Sequence, residues 1–414
     1  MSGGTRSPAA RRPSDGSLAV NTTSILRHIN AIRCLRVLKR SGVMSRSDLA
    51  RELKLTRSTV GNAIKELLEA DLVCEPPATI DSPGAGESNR AGRPSVGVAL
   101  NAPGAYFVGL DISTTTLRAV LVDLTMTVVA RFSAPVGPDI KDVAGIADRL
   151  ASLAQGAIAA AGGHRTRVRG VGVSVPGLVG RDGRVAIAPF LGWKDIDLRL
   201  LLSERLGAEV DIRVCNDAVA VASAFCAVAD RAEALDLLLV LMSEGIGSAI
   251  VRQGQVIDGF NGHAGEIGQM VMAPTVAGAS SRTFQLLAGQ RFFAAFAAPG
   301  EAAADAPAWL ADPKLEPPGL DAALAQWAEH LAAGLLNAIW LLDPERIVLS
   351  GPLAPLYPRV AARVGAILGE AMAGLRVPPI SVSSYGAEGA AVGAAAVIRE
   401  TVFALPDLTE PAMD

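Results

Sequence analysis

The sequence predicts an α/β protein in two parts: a small helical head with a short wing, then a long body in two lobes. Three observations predict it. Apolar residues recur at helical spacing through the first seventy positions. A strand–turn–strand theme occurs twice in the body, at 106–124 and at 237–251, with strands and helices alternating around it. Charge is split between the parts: residues 1–100 hold 15 Lys and Arg against 9 Asp and Glu, the remainder 23 against 32. A basic head on an acidic body points to nucleic acid at the head, although a solvated basic surface gives the same count.

Composition bounds the classes. With 414 residues, half of them hydrophobic, two or three domains with a large core are expected. No apolar run reaches the ~18 residues of a membrane helix, so no membrane partner is expected. Residues 1–20 are polar without an apolar h-region and read as a disordered tail, not a signal peptide. A second tail is expected at 405–414. Cys34, Cys74, Cys215 and Cys226 form no CxC or CxxC pair, which fits a reducing cytoplasm and argues against a disulfide framework or a cysteine zinc site.

The head is expected over 21–101. Ile25, Ile29, Ile32, Leu35 and Leu38 predict a first helix over roughly 22–41, ended by Ser41–Gly42. Ser45-Arg46-Ser47-Asp48 is a capping box: the Ser45 hydroxyl accepts from the Asp48 N–H and the carboxylate reaches back. It opens a second helix with Leu49, Ala50 and Leu53 inward. After the turn Lys54-Leu55-Thr56 comes a third helix, with Val60, Ile64, Leu67 and Leu68 on one face and Arg57, Ser58, Asn62 and Lys65 on the other. Two short helices with a tight turn form a helix-turn-helix. Its second helix would enter the major groove, with Arg57, Ser58, Thr59 and Asn62 at base edges and Arg46 on phosphate. The same pattern also serves a plain three-helix bundle with a wet outer face. Residues 71–75 and 95–100 read as paired strands flanking a Pro/Gly/Ser-rich stretch that ends in Gly92-Arg93-Pro94. That stretch is a candidate wing, with Arg93 suited to a narrow minor groove, or else a flexible linker.

In the body, Tyr106–Leu124 predicts a hairpin around the turn Ser113-Thr114-Thr115-Thr116, and Val128–Phe132 a third strand. A helix near 143–162 follows. A strand from Arg169 ends at Pro176-Gly177, and Val210–Val214 delivers Asn216-Asp217 to the start of a helix. Leu237–Met242 and Ser248–Val251 flank a Gly-containing turn at 243–247. Helices are expected over 283–297 and 320–342, a strand over 346–351, and a final small-residue helix opening near Gly386.

The segment SRSDLARELKLTRSTVGNAIKELLEADLV, then GRPSVGVAL, then the hairpin, resembles the start of ROK-family transcriptional regulators (repressors, open reading frames, kinases). VSVPGLVG, CNDA, SEGIGSAIV, GHAGEIGQM, LDPERIVLSGPLAP and GAEGAAVGAA are similar to further family segments in the same order, so the resemblance covers nearly the whole chain beyond the tail. It implies a fold class of α/β: an N-terminal winged helix-turn-helix followed by the two-lobed actin-like ATPase fold of the ROK sugar kinases, with lobes at 104–215 and 216–404. In that fold the hairpin turns cradle phosphate. By the same resemblance, Asn216, Asp217, Glu266 and Gly177 belong to the sugar pocket, Asp217 being the base of the family's kinases. Asn216-Asp217 could also simply cap the following helix.

The departures from the family pattern bear on chemistry. Where the kinases carry Gly-Gly-Thr-Lys, this chain has Ser113, Thr114, Thr115 and Thr116, and a threonine of the second loop is Glu244. Glycine lets backbone N–H groups approach phosphates, whereas a carboxylate ~4 Å from a phosphate charge costs roughly 4 kcal/mol at an effective dielectric near 20. Neither ATP binding nor catalysis is expected. The family's zinc pattern lacks its histidine, replaced by Gln269, and 273–286 contain no cysteine, so neither zinc nor another cofactor is expected. His263 falls outside the matching position and reads as a turn residue. Phe190 replaces a sugar-binding asparagine, which implies an altered effector or a pocket that has lost its ligand. The expected protein is a DNA-binding regulator of the repressor kind, a homodimer or homotetramer on double-stranded operator DNA, with a sugar effector. A sugar kinase carrying a DNA-binding module and a regulator controlled by a protein partner stay open.

Overall fold

A computed structural model describes residues 16–76, 97–137, 139–228, 235–273, 282–296, 309 and 316–404, with side chains from residue 25 onward. The chain forms two compact units. One runs up to Asn101 and takes in the last residues from Val402; the other runs from Ala102 to Thr401. No described helix is long and apolar enough to cross a membrane.

The first unit holds α1 (Gly16–Ser41), β1 (Met44–Ser45), α2 (Arg46–Leu53), α3 (Arg57–Glu69), β2 (Val73–Cys74) and β3 (Gly97–Leu100). Helix α1 starts earlier than the apolar spacing predicts, so residues 16–20 are helical rather than tail. Residues 1–15 and 405–414 lie outside the described residues. The face α1 buries is Ile32, Cys34, Leu35 and Leu38, while Ile25, expected inward, is exposed. Ser45 caps α2, its hydroxyl accepting from the Asp48 N–H at 3.1 Å. The Asp48 carboxylate accepts from the Ser45 hydroxyl at 2.7 Å, not from the backbone N–H that a full capping box uses. Thr56 caps α3 in the same way through the Thr59 N–H. Val60, Ala63, Ile64 and Leu67 are the buried stripe of α3. The strands pair in the order β1-β3-β2, Val73 opposite Leu100 and Met44 opposite Val98. The strands flanking the candidate wing are therefore paired, while residues 77–96 between them lie outside the described residues.

The second unit opens with the hairpin β4 (Tyr106–Ile112) and β5 (Thr116–Asp123), then β6 (Val128–Pro135), α4 (Val143–Ala160) and β7 (Val168–Val175). A small sheet follows in β8 (Leu178–Val179), β9 (Val185–Ala188) and β10 (Trp193–Ile196), then α5 (Leu198–Leu206), β11 (Ile212–Asn216) and α6 (Asp217–Val228). The second half holds β12 (Leu237–Met242), β13 (Ile246–Arg252), β14 (Gln255–Val256), β15 (Val271–Ala273), β16 (Arg282–Thr283), α7 (Phe284–Ala288), α8 (Leu320–Leu342), β17 (Arg346–Ser350), α9 (Tyr357–Ala371), β18 (Ile380–Val382) and α10 (Gly389–Phe403).

Two five-stranded sheets result, ordered β11-β7-β4-β5-β6 and β14-β13-β12-β17-β18. Numbered within its own half, each reads 5-4-1-2-3 from one edge or the other, with the first two strands a hairpin and the fourth parallel to the first. This internal repeat is the two-lobed architecture the paired hairpins predict. Strand β12 is buried at all six positions, as a strand covered on both faces must be. The helix expected over 283–297 is broken at Gly289: α7 stops at Ala288 and a 3₁₀ segment resumes over Gln290–Phe296. Helix α10 lies flush on the first sheet. A Cβ at Gly109 would stand 1.9 Å from the Ala391 carbonyl oxygen, and one at Gly172 1.8 Å from that of Ala394.

Candidate functional site

Helix α3 presents Arg57, Ser58, Asn62 and Lys65 to solvent. Among the described residues no hydrogen bond or ion pair ties down the Arg57 or Asn62 side chain, so both are free to meet a ligand. Lys65 sits 3.8 Å from Glu69, a loose helical pair. The Ser58 and Thr59 hydroxyls both lie on Thr56 Oγ1, at 3.0 and 2.8 Å, and Thr59 is half-buried. These two therefore serve the cap first. Arg46, expected on phosphate, donates to Glu75 at 2.5 Å. Arg93 lies outside the described residues.

In the body, the ends of β4, β11 and β12 converge on one cleft. Asn216 closes β11 and opens α6: its Oδ1 accepts from the Ala218 and Val219 N–H groups at 2.8 and 3.2 Å, and its Nδ2 donates to the Gly177 carbonyl at 3.0 Å. Capping and site-building are thus one arrangement, with one amide proton left for a ligand. Gly177 is fixed by close approach, since a Cβ there would meet the Ile187 carbonyl oxygen at 2.6 Å. Asp217 accepts from the Ala218 N–H. Burial, reinforced by the neighbouring Asp111 charge, raises its carboxyl to about 8. Asp111 is itself buried at the end of β4, accepting from Ser174 Oγ at 2.6 Å and Arg118 at 3.3 Å. Desolvation outweighs both partners and moves its pKa up. Glu266 is raised by burial as well.

Two cavities share Pro176, Asp217, Ser243 and Glu244. One, about 460 Å³, is walled by Gly177, Phe190, Asn216, Glu266, Gln285 and Arg291 among others, within the range of small-molecule sites. The other, about 510 Å³, is walled by Asp111, Ser113, Arg118, Gln290, Ser350 and Gly351 among others. At their junction the Thr114 hydroxyl donates to Glu244 at 2.5 Å. Thr114 stands in the first hairpin turn and Glu244 in the second, so both replaced positions meet each other. The first turn is also closed on itself: the Ser113 N–H bonds the Thr116 carbonyl, and the Thr116 N–H bonds Ser113 Oγ. Two of its backbone donors are spent, and a carboxylate stands at its mouth. These residues do not fit a triphosphate. Gln269 stands where the resemblance places a zinc histidine, and among the described residues no cluster of His, Cys, Asp or Glu could hold a metal ion. Residues 274–281 of the former cysteine segment lie outside the described residues. His263 is half-buried, and its Nε2 has no partner among the described residues.

The ROK family profile matches residues 107–401, nearly the entire second unit. The chain belongs to the ROK family. A MarR-family profile matches residues 29–75 of the head. The ROK chain is 24% identical over 344 residues to the "Xylose repressor" of Bacillus subtilis, covering 81% of this chain and 85% of that protein. It is 24% identical over 251 residues to the Escherichia coli "DNA-binding transcriptional repressor Mlc", covering 60% and 59%. In fold it matches the crystal structure of a ROK family transcriptional regulator described as a homologue of Escherichia coli Mlc. The TM-score is 0.70 at 22% identity, covering 91% of this chain and 97% of that one. A ROK glucokinase from Streptomyces griseus matches the body at a TM-score of 0.60 and 21% identity, covering 72% of this chain and all of the kinase.

Sequence reasoning found Asn216, Asp217, Glu244, Glu266 and Phe190 at the cleft. It missed Arg118 and Ser174, which hold Asp111, and it missed Gln285 and Arg291. A single arginine inside the otherwise apolar run FFAAF and its flanks was the signal available for Arg291.

Proposed function

We propose that this chain is a DNA-binding transcriptional regulator of the repressor kind whose cleft receives a monosaccharide or sugar derivative. The observation that carries the reading is the outer face of α3: a capped helix of a helix-turn-helix that buries its apolar stripe and leaves Arg57 and Asn62 unengaged. Arg57 suits guanine and Asn62 adenine in the major groove. The likeness to the xylose repressor supports it because it covers 81% of this chain and 85% of that protein. The protein binds a pseudo-palindromic operator as a homodimer or homotetramer, half-sites one or more helical turns apart. Sugar shifts the balance between two lobe arrangements, and with it operator affinity, which requires different sugar affinities in the two.

Footprinting of the full-length protein on DNA upstream of its own gene, at low and near-physiological salt, tests this. A protected pseudo-palindrome that persists in salt is expected, with a sugar panel then changing protection. Protection that fades uniformly with salt would reflect phosphate contacts only and would defeat the reading.

Retention of Asp217 beside a second cavity favours one competing reading, a sugar kinase with a DNA-binding module. The self-closed first turn and the Thr114–Glu244 contact speak against it. Sugar-dependent ADP release in a coupled assay would establish it.

A further inference from the structure

We infer that the cleft is built for a sugar carrying a carboxylate, an aldonic or uronic acid, held by Arg291. The inference deepens the sugar-sensing reading and rests on it. Arg291 is the single cationic side chain among the described residues that wall the 460 Å³ cavity. Most other arginines of the body are paired: Arg184 with Asp195 and Asp197, Arg205 with Asp148, Arg359 with Glu316, Arg363 with Glu329. Arg291 has no carboxylate within ion-pair distance among the described residues. Its one recorded partner is an aromatic face, the guanidinium carbon standing 5.5 Å from the centre of the Phe190 ring.

That contact gives Phe190 a role. The ring edge lies beside the second hairpin turn, where a Cβ on Gly245 would stand 3.1 Å from it. A guanidinium held over an aromatic ring keeps its edge donors free, and those donors match a planar carboxylate two at a time. Phe190 and Arg291 thus act as one unit in this cleft, the ring backing the cation. Across the cavity, Asn216, Asp217 and Glu266 remain to receive hydroxyls. The carboxylate is preferred to a phosphate because two carboxyl groups besides Asp217, those of Glu244 and Glu266, share the walls. A dianion would meet about twice the repulsion of a monoanion there. With its carboxyl raised to about 8, Asp217 stays protonated near neutral pH and adds little to that repulsion.

Isothermal titration of the full-length protein with matched ligands tests the inference: glucuronate against glucose, galacturonate against galactose, gluconate, and glucose 6-phosphate. The acids are expected to bind at least tenfold more tightly than their neutral partners. Arg291→Gln should weaken the acids on the order of ten- to a hundredfold and leave the neutral sugars nearly as before. Arg291→Lys, which keeps charge without the fork, should fall between. Equal or tighter binding of the neutral sugars by the wild-type protein overturns the inference while the sugar-sensing reading stands. Tighter binding of the phosphate than of the acids overturns the carboxylate. Failure of every sugar to bind overturns both. The wild-type comparison holds even if a variant does not fold.

Discussion

The same substitution, glycine to alanine, should have opposite signs in two helices of the body. Gly393 lies in α10 against α6, where a Cβ would stand 1.8 Å from the Ala220 carbonyl oxygen and 2.1 Å from its carbon. Contacts below 3.0 Å do not occur for real Cβ atoms, so the two helices must part by more than an ångström. The obstacle is backbone and has no rotamer into which to retreat. Overpacking of a well-filled core costs about 1–3 kcal/mol and sometimes more, and with a rigid obstacle we expect the upper end, about 3 kcal/mol. For a unit of this size that is a fall in Tm of roughly 6–10 °C. Gly365 in α9 is exposed and a Cβ there meets nothing within 4 Å. Gly365→Ala should instead stabilise by about 0.5–1 kcal/mol, because alanine loses less backbone freedom in a helix. Thermal and urea unfolding of both variants, followed by circular dichroism, reads the difference. A Gly393→Ala protein that melts with the wild type would refute the close approach of α10 and α6. Equal destabilisation by both variants would show that the backbone contacts play no part.

Thr114→Val keeps the shape and removes the hydroxyl that Glu244 accepts from. It should cost about 1–2 kcal/mol in thermal unfolding, with Thr114→Ser close to wild type; no difference between the two would dismiss the contact. Asp217 titrates near 8 in the fold against an ordinary 3.8, so the folded state holds a proton that the unfolded chain has released. Its stability contribution is whole below pH 3.8 and declines as pH rises toward 8. Asp217→Asn should flatten that decline, gaining Tm relative to wild type between pH 6 and 9, and a relative loss there would reverse the assignment. Arg57→Ala and Asn62→Ala should each cost about 1–3 kcal/mol of operator binding and relax one base preference. Lys65→Ala should weaken all DNA alike and lower the salt slope by about one, and gel-shift titrations across salt separate these outcomes.

Periodicity made the head readable. Val60, Ile64 and Leu67 recur at helical spacing because a single face of α3 is buried, whereas the cap by Thr56, read only as part of a turn, came from the structure. The hairpin β4–β5 was legible from β-branched runs around a polar turn. Segments whose shape depends on distant partners were not legible. Helix α7 ends where the backbone of Gly289 turns extended, and position 289 has little room for a side chain because a Cβ would meet the Gln285 carbonyl oxygen at 2.5 Å and the Glu244 carbonyl oxygen at 3.3 Å, the latter remote in sequence. The three short strands β8 to β10 carried no pattern strong enough to set them apart from loops, whereas α9 went unread although Val360, Val364 and Leu368 recur at helical spacing. At the cleft, Asn216-Asp217 could be found because one local motif both caps a helix and faces a ligand. Arg291 could not, because the Phe190 ring it lies against comes from the other half of the body.

The flush seat of α10 on the first sheet bears on how the protein is made. Arg399, buried to 1% exposure, donates to the Leu124 carbonyl at 2.7 Å across a separation of 275 residues. Gly109 and Gly172 wait for Ala391 and Ala394, each more than 200 residues further along the chain. The sheet translated first therefore keeps one face uncovered until the last helix has left the ribosome. Contacts of such long range slow folding and leave apolar surface open in the interval. A chain truncated before Gly389 would carry every strand of that sheet and both hairpin turns, and still lack the helix that Gly109 and Gly172 are shaped to receive.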